Sequence, residues 1–299
     1  MKLPKIYSLC LAVLTCGFVL AGGTARADFN VYIEYNGSGV GSIQKYPSTG
    51  GAGTLFSSGF AFPEGLVQDL AGNFYTVDEF NNHVLKIGPS GGTPTTLATT
   101  GTAPYDIAID GSGNLYVAVY TTGAVQKYST TGTSLGAFVT GQSSPDGLAF
   151  DSAGNLYISN YTGGSVQEYN SSGSLIRTFS VPSGGPQGLT FDSAGNLYVA
   201  LANTGKVEKF NSSGTDLGAF VTGLNTPSDV AFDPLGNFYV SEWGANKVDK
   251  YNGVGVFQNV FATGAAPSGI LIVGTVPEPS SSLLLALVGG AVFGLRRRR

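Results

Sequence analysis

Carboxylate and amide side chains recur at two aligned positions along the chain, at intervals close to 41 residues. One set follows a proline by one or two residues, and the other stands at the end of a short apolar run. Oxygen atoms that converge from several chain segments are typical ligands of Ca²⁺. These candidate ligands are Glu64, Asp78, Asp106, Asp146, Asn160, Asp229 and Glu242. The alternative is that each is solvated or caps a turn amide, because loop ends are generally polar.

Aromatic side chains accompany these carboxylates. Tyr105 directly follows one of the prolines, and Tyr120, Tyr161 and Trp243 each stand one residue after an apolar run, with Phe80 nearby. Aromatic rings beside carboxylates and amides suit stacking on sugar rings. The same rings could instead pack against neighbouring loops, and the sequence leaves both interpretations open.

Few residues could serve as a nucleophile or a general base. The chain contains a single histidine, His83, at a rim position, so a histidine base is not expected. Both cysteines, Cys10 and Cys16, lie in the N-terminal leader, and no serine has the histidine partner that a catalytic triad needs. These features favour binding over catalysis.

The segments that must position these residues form a repeat. Prolines recur every 41 residues, with a last interval of 40 residues: Pro63, Pro104, Pro145, Pro186, Pro227 and Pro267. A period of this length indicates units that stack to bury their apolar faces. Each unit holds four β-branched or aromatic runs separated by turn residues, which predicts a four-stranded antiparallel meander. No sustained helical periodicity interrupts residues 28–275.

Two turns in each unit have a fixed chemistry. An aspartate precedes a glycine by three residues at Asp69, Asp110, Asp151, Asp192 and Asp233. Such an aspartate can accept hydrogen bonds from turn amides while the glycine adopts a positive φ. The second turn carries only glycine or asparagine, at Asn82, Gly123, Gly164, Gly205 and Asn246, as a left-handed backbone requires. We therefore interpret these residues as turn structure rather than as catalytic groups.

The two ends of the repeat region complete the count of units. Segments 30–33, 42–46 and 54–56 match the second to fourth runs of a unit, and the missing first run appears at 267–272. One blade shared between both ends would close a ring and leave no free sheet edge. The sequence thus predicts an all-β fold: a six-bladed β-propeller of four-stranded antiparallel blades over residues 28–275.

The repeated motif is P-x-[GD]-[LIV]-x-[FI]-D-x-x-G-N-[LF]-Y-[VI], followed by V-x-K-[YF]. It resembles the NHL-repeat β-propeller family over residues 29–273. Similar six-bladed propellers include gluconolactonase-like hydrolases, with a Glu/Asn/Asp metal site at the channel mouth, and streptogramin lyases, which rely on histidine. The resemblance therefore implies an alternative, a divalent-metal-dependent lactonase or esterase using Glu64, Asn160 and either Asp229 or Glu242. The even blade lengths argue against it, and the fold itself serves both binding modules and enzymes.

Residues 1–27 have the features of a secretory signal peptide. Lys2 and Lys5 precede an apolar core at 6–20, and Ala25-Arg26-Ala27 provides a cleavage site after Ala27. The apolar core is short for a transmembrane helix, so we expect export and removal of this segment.

Residues 276–299 form a tail with three parts. Pro277, Glu278 and Pro279 precede fifteen small or apolar residues at 281–295, and four arginines follow at 296–299. Fifteen helical residues cover about 22 Å, less than the roughly 30 Å of a hydrocarbon core. The tail resembles the PEP-CTERM sorting signal of Gram-negative bacteria, which implies transient retention in the inner membrane and processing by an exosortase. A permanent tail anchor is the alternative.

Residues 28–276 carry eight basic and eighteen acidic side chains, a net charge near −10. Such a surface disfavours nucleic acid and anionic lipid but is compatible with cations such as Ca²⁺ or with neutral glycans. We expect a noncatalytic propeller of the cell envelope or exopolysaccharide matrix. It would bind a glycan or protein through the channel mouth and contact a membrane only through its tail. A purely structural spacer is a further alternative.

Overall fold

A computed structural model of the chain describes residues 28–37, 40–181 and 184–274. The predicted signal peptide, residues 1–27 with cleavage after Ala27, lies outside the described residues. So does the predicted tail, residues 276–299, with Pro277, Glu278, Pro279 and the apolar segment 281–295. Within the described ranges, no helix is long and apolar enough to cross a membrane.

The described residues form six sheets, each with four antiparallel strands. The inner strands surround a central channel. They are β4 (Pro63–Gln68), β8 (Pro104–Ile109), β12 (Pro145–Phe150), β16 (Pro186–Phe191), β20 (Pro227–Phe232) and β24 (Pro267–Gly274). The second strands are β1 (Phe29–Tyr35), β5 (Phe74–Asp78), β9 (Leu115–Val119), β13 (Leu156–Asn160), β17 (Leu197–Leu201) and β21 (Phe238–Glu242).

Two further strands complete each sheet. The third strands are β2 (Gly41–Pro47), β6 (His83–Ile87), β10 (Ala124–Tyr128), β14 (Ser165–Tyr169), β18 (Lys206–Phe210) and β22 (Lys247–Tyr251). The outer strands are β3 (Thr54–Phe60), β7 (Thr95–Thr99), β11 (Ser134–Val139), β15 (Leu175–Ser180), β19 (Asp216–Thr222) and β23 (Phe257–Thr263). We number the blades 1 to 5 from β4 onward. Blade 6 has the strand order β24-β1-β2-β3.

Blade 6 joins the two ends of the described chain. β24 and β1 pair antiparallel, with Ile270 opposite Ile33 and Ile272 opposite Val31. This pairing confirms the predicted six-bladed ring with one shared blade. The pairing covers the edge of β1 that faces the channel, so the sixth sheet has four strands like the other five.

Apolar side chains fill the spaces between adjacent blades. The second strand of blade 2, Leu115–Val119, is buried on both faces because neighbouring blades cover it on each side. The ring of Tyr116 lies between Phe138 and Phe150, with both centroids 5.0 Å away in edge-to-face contacts. Tyr198 repeats this arrangement in blade 4. The tyrosine of the repeated motif is therefore part of the core between blades.

The repeated aspartate shapes the first turn of each unit. Asp110 Oδ1 accepts hydrogen bonds from the amides of Ser112 and Asn114, at 2.9 and 2.8 Å, and Gly113 has a φ of 82°. Its Oδ2 accepts from the Asn114 side chain and the Tyr116 hydroxyl. The two amide bonds recur at Asp69, Asp151, Asp192 and Asp233. Positive φ angles at Asn82, Gly123, Gly164, Gly205 and Asn246 confirm the second turn as well.

Glycines allow the inner strands of adjacent blades to approach closely. A Cβ atom at Gly147 of blade 3 would overlap the carbonyl oxygen of Gln187 in blade 4. Gly147→Ala is therefore expected to lower the free energy of unfolding by about 3 kcal/mol, the upper range for overpacking. Gly111→Ala is the matched control, because a Cβ there meets no atom within 4 Å. Urea unfolding of both variants measures the difference, and equal midpoints would show that the contact between blades 3 and 4 is loose.

Candidate functional site

The six inner strands begin on the same face of the disc. The residue after each opening proline lies at this mouth of the channel: Glu64, Tyr105, Asp146, Gln187, Ser228 and Ser268. A cavity of about 380 Å³ opens there, and we call it the mouth cavity. Its lining residues are Phe62, Glu64, Glu79, Phe80, Tyr105, Asp146, Gln187, Thr226, Ser228 and Trp243.

Three aromatic side chains form one wall of the mouth cavity. The rings of Phe62 and Phe80 stack with centroids 4.6 Å apart, and Trp243 lies 5.5 Å from Phe62. Phe62 precedes β4 of blade 1, whereas Trp243 begins the 3-10 turn Trp243–Ala245 after β21 of blade 5. The two rings therefore meet across blade 6, which carries the smaller Asn36 at the position equivalent to Trp243.

A second aromatic row begins at Tyr105. Its ring stacks on that of Tyr120 with centroids 4.4 Å apart, and Tyr161 lies 6.4 Å beyond Tyr120. The Tyr105 hydroxyl hydrogen-bonds the Glu79 carboxylate, and the Tyr161 hydroxyl donates to Asn203 Oδ1 at 3.0 Å. Of the three tyrosines, Tyr105 lines the mouth cavity, whereas Tyr120 and Tyr161 are not among its lining residues.

Below the mouth cavity the channel narrows to a space of about 30 Å³. Asp106 of blade 2 and Asp229 of blade 5 stand at this level. Asp106 Oδ2 accepts the Leu148 amide of blade 3, and Asp229 Oδ2 accepts the Ile270 amide of blade 6, both at 2.7 Å. The other oxygen of each aspartate accepts the amide of the next residue in its own strand. These two side chains therefore tie neighbouring blades together.

The channel mouth concentrates carboxyl groups. Burial and repulsion from Glu34 and Asp146 raise the pKa of Glu64 well above its usual value. Burial and repulsion from Asp229 raise the pKa of Asp106 in the same way. Burial also raises the pKa of Asp146 and that of Asp229 to about 7. Desolvation and repulsion between like charges both disfavour ionisation. At neutral pH, therefore, some of these carboxyl groups are protonated and the net negative charge is smaller than the number of acids.

Glu34 is a buried acid that the sequence analysis did not single out. It lies in β1 with 0% of its surface exposed, and its Oε1 accepts a 2.6 Å hydrogen bond from Thr76 Oγ1 of blade 1. Its Oε2 has no hydrogen-bond partner among the described atoms. Burial raises the pKa of Glu34 to about 8. The available signal was an acid inside an apolar run, because the equivalent residues are Val77, Ala118, Ser159, Ala200 and Ser241.

Three predicted site residues hold loops instead of lining the mouth cavity. Asp78 accepts the amides of Ala61 and Phe62, each at 2.9 Å. Asn160 accepts the amide of Ser143, and Glu242 accepts the amide of Asn225. The repeat alignment predicts Asp78, Asn160 and Glu242 as ligand-binding residues. In the structure they fix the loops that lead into β4, β12 and β20, and Asp78 thereby positions Phe62.

The four candidate metal ligands are not brought together. Glu64 and Asp229 line the channel cavities, whereas Asn160 and Glu242 bind loop amides in their own blades. Glu242 also pairs with Lys247 at 3.0 Å. Among the described residues, no group of three or more His, Cys, Asp or Glu side chains could hold a metal ion. A Ca²⁺ site shared by Glu64, Asn160, Asp229 and Glu242 is therefore not supported.

Several lining residues were absent from the predicted site. Glu79 occupies the repeat position of Tyr120, Tyr161 and Trp243, and this alignment could have identified it. Gln187 and Ser228 follow opening prolines, as Glu64 and Asp146 do. Phe62 and Thr226 directly precede those prolines, and no chemical pattern distinguished them.

The C-terminal segment matches a known sorting signal. Residues 275–299 correspond to the PEP-CTERM protein-sorting motif. The chain therefore carries a PEP-CTERM signal. The motif indicates export and sorting to the cell envelope, and it implies an exosortase as the processing enzyme. No curated protein matches the chain.

Solved structures share the propeller fold at low sequence identity. The nidogen/laminin complex contains a chain with a TM-score of 0.71 and 21% identity, covering 82% of this chain and 98% of that one. A streptogramin B lyase has a TM-score of 0.59 and 18% sequence identity, and the match covers 80% of this chain and 91% of the lyase. A gluconolactonase from Xanthomonas campestris has a TM-score of 0.62 and 18% sequence identity, and the match covers 71% of this chain and 83% of the gluconolactonase. Because these neighbours include enzymes as well as a protein solved in a complex, the shared fold does not select between binding and catalysis.

Proposed function

We propose that the protein is an exported, noncatalytic binding module that holds a glycan in the mouth cavity. The observation that supports this most directly is the aromatic wall of Phe62, Phe80 and Trp243 beside the polar side chains of Glu64 and Gln187. The cavity volume of about 380 Å³ falls within the roughly 300–1,000 Å³ that is usual for small-ligand sites.

The chemistry of the cavity suits a sugar ring. Aromatic faces carry partial negative charge and pack against the C–H groups on one face of a pyranose. Carboxylate and amide oxygens accept hydrogen bonds from its hydroxyl groups. Gln187 belongs to blade 4, whereas Phe62 and Phe80 belong to blade 1, so a sugar ring between them would be held from two sides.

The described residues offer no observation that favours hydrolysis. Among them, no group of three or more His, Cys, Asp or Glu side chains could hold a metal ion, and Asn160 and Glu242 bind loop amides. His83 lies at the start of β6, opposite Asp78 in the strand pairing, and it is not a lining residue of the mouth cavity. The aspartates that recur from unit to unit, such as Asp110, accept hydrogen bonds from turn amides. Binding is therefore the simpler use of this site.

The sorting signal supports a location where glycans are abundant. In this proposal, the signal peptide is removed after Ala27, and residues 281–295 hold the chain in the inner membrane until an exosortase acts near Pro277, Glu278 and Pro279. The propeller, residues 28–275, is then released to or retained in the cell envelope or its exopolysaccharide.

Trp243→Ala tests the proposal, because it removes the largest ring of the aromatic wall. We expect an affinity about tenfold lower for any glycan that the wild-type propeller binds on an array, since aromatic stacking contributes about 0.5–1.5 kcal/mol beyond the buried area and about 1.4 kcal/mol corresponds to a factor of ten. Calorimetric titration of the array hit measures the change.

Phe257→Ala is the control for loss of an aromatic ring, because Phe257 lies on the outer strand of blade 5 and is half exposed. Its affinity should equal that of the wild type. Unchanged binding in Trp243→Ala, or no glycan bound by the wild type, would refute the proposed function.

A further inference from the structure

The mouth cavity gathers acidic side chains and has no cationic side chain among its lining residues. Glu64, Glu79 and Asp146 line it from three separate elements: β4, the turn after β5, and β12. None of its ten lining residues is Lys, Arg or His. The seven ion pairs found among the described residues use other acids, namely Asp110, Glu168, Asp192, Glu208, Asp233, Glu242 and Asp249.

Two acceptors that belong to this cavity lack donors. Asp146 is only 8% exposed, and its Oδ2 has no hydrogen-bond partner in the described structure. Gln187 lies close enough to lower the pKa of Asp146, and Gln187 Oε1 is also without a partner. Buried acceptors without donors are costly, and a ligand that brings N–H donors would satisfy them.

Resting on the function proposed above, we propose that the mouth cavity selects sugar residues with a free ammonium group, as in a de-N-acetylated amino sugar. The ammonium would lie against Asp146 and Glu64, with three N–H donors for the unpaired acceptors. The sugar ring would then stack on Trp243 and Phe62, whose faces also attract a cation. A uronic acid would be repelled by the same carboxylates.

The proton affinities of the cavity are consistent with this ligand. Burial raises the pKa of Asp146 to about 7, and burial with neighbouring carboxylates raises that of Glu64 well above its usual value. A bound cation favours the ionised forms of these carboxyls. The groups that face this cluster from the surrounding strands and turns are Glu34, Glu79, Tyr105, Asp106 and Asp229.

The experiment compares three hexasaccharides by calorimetry with the mature propeller at pH 7.5: a glucosamine hexamer, an N-acetylglucosamine hexamer and a glucose hexamer. The first two differ only in the acetyl groups, so their comparison isolates the ammonium. We expect the glucosamine hexamer to bind at least tenfold more tightly than either of the others.

Two substitutions locate the preference. Asp146→Asn should reduce the glucosamine preference to less than threefold, because it removes the carboxyl group that an ammonium would pair with. Asp216→Asn removes the same charge from the exposed start of β19 and should leave the preference intact. Equal losses in both variants would mean that net charge alone attracts the amine, which would overturn the proposal.

The outcomes separate this inference from the function on which it rests. If the acetylated or neutral hexamer binds as tightly as the glucosamine hexamer, the ammonium preference is wrong, whereas glycan binding stands. If none of the three binds but the array yields another glycan without free amines, the same conclusion holds. If no glycan on the array binds, both proposals fail.

Discussion

Removal of β24 is expected to abolish cooperative folding of the propeller. A chain that spans residues 28–266 lacks the inner strand of blade 6, and therefore leaves β1 with an unpaired edge. It also loses the contacts of β24 with both adjacent blades. Ser268 Oγ donates to the Pro63 carbonyl of blade 1 at 2.9 Å, and the Ile270 amide donates to Asp229 of blade 5.

The expected loss is comparable to the whole stability of a domain. Ile270 is buried, and loss of a single buried aliphatic side chain costs about 2–5 kcal/mol. Together with the lost strand pairing, this approaches the 5–15 kcal/mol that holds a typical domain folded. Urea unfolding followed by circular dichroism should show a sharp transition for residues 28–275 and none for residues 28–266.

A peptide of residues 267–274 provides the matched control. Added to the truncated chain, it should restore the transition, whereas the same peptide with Ile270→Asp should not, because it would bury an unpaired carboxylate. A truncated chain that unfolds at the same urea concentration as the longer one would show that the shared blade does not stabilise the ring.

The propeller is also expected to be more stable in mild acid than at pH 8. In the folded state, the pKa of Asp146 and that of Asp229 are about 7, and the pKa of Glu34 is about 8. In the unfolded chain the same carboxyls have a pKa near 4. Between pH 4 and pH 8 the folded state therefore binds more protons than the unfolded state. The contribution of these carboxyls to the free energy of unfolding is fully present below pH 4 and is lost as the pH rises to between 7 and 8.

The size of the effect follows from the shifts. One pKa unit corresponds to about 1.4 kcal/mol, and an aspartate shifted by about three units contributes about 4 kcal/mol. Because the channel acids repel each other, their protonation is coupled and their contributions do not add. We therefore expect the free energy of unfolding to rise by about 3 kcal/mol between pH 8 and pH 5, because about two units of the shift lie above pH 5, with an increase in Tm of roughly 8 °C.

The turn aspartates act in the opposite direction but at lower pH. Partial burial alone would raise the pKa of Asp110, yet hydrogen bonds from Asn114 and the turn amides lower it below its usual value. The same holds for Asp69 and Asp192. Their stabilisation is lost only as the pH falls below about 4, so it does not cancel the expected trend.

Calorimetric scans between pH 5 and pH 8 measure this dependence. Asp146→Asn should reduce it, because one group that takes up a proton in the folded state is removed. Asp216→Asn should leave it unchanged, since Asp216 is exposed at the outer rim. A flat profile, or one that rises toward pH 8, would be incompatible with buried protonated carboxyls in the channel.

The fold could be predicted from the sequence because each level of structure has a local cause. The 41-residue proline spacing set the blade length, and the Asp110-type turns set the first hairpin. The incomplete first unit and the isolated strand at 267–272 predicted the closed ring. These features depend on short-range patterns that repeat, so one well-formed copy identifies the others.

The site was harder to predict, because it depends on contacts between blades that are distant in sequence. The contact of Phe62 with Trp243 spans blade 6 and requires a small residue at Asn36, which no single repeat reveals. Asp78 and Asp146 are both predicted ligands. Backbone amides bind both oxygens of Asp78, whereas Asp146 Oδ2 has no hydrogen-bond partner among the described residues. Whether a carboxylate meets an amide or a cavity depends on its rotamer, which spacing does not encode.

The direction of β24 determines how the propeller would be presented on a surface. The strand starts at Pro267 beside the cavity and ends at Gly274, which pairs with Phe29 on the far side of the disc. Both described termini therefore leave from the side remote from the cavity. A linkage made through the segment after Gly274 would point the aromatic wall outward, so tethered molecules could capture polymer from the medium without obstruction by their support.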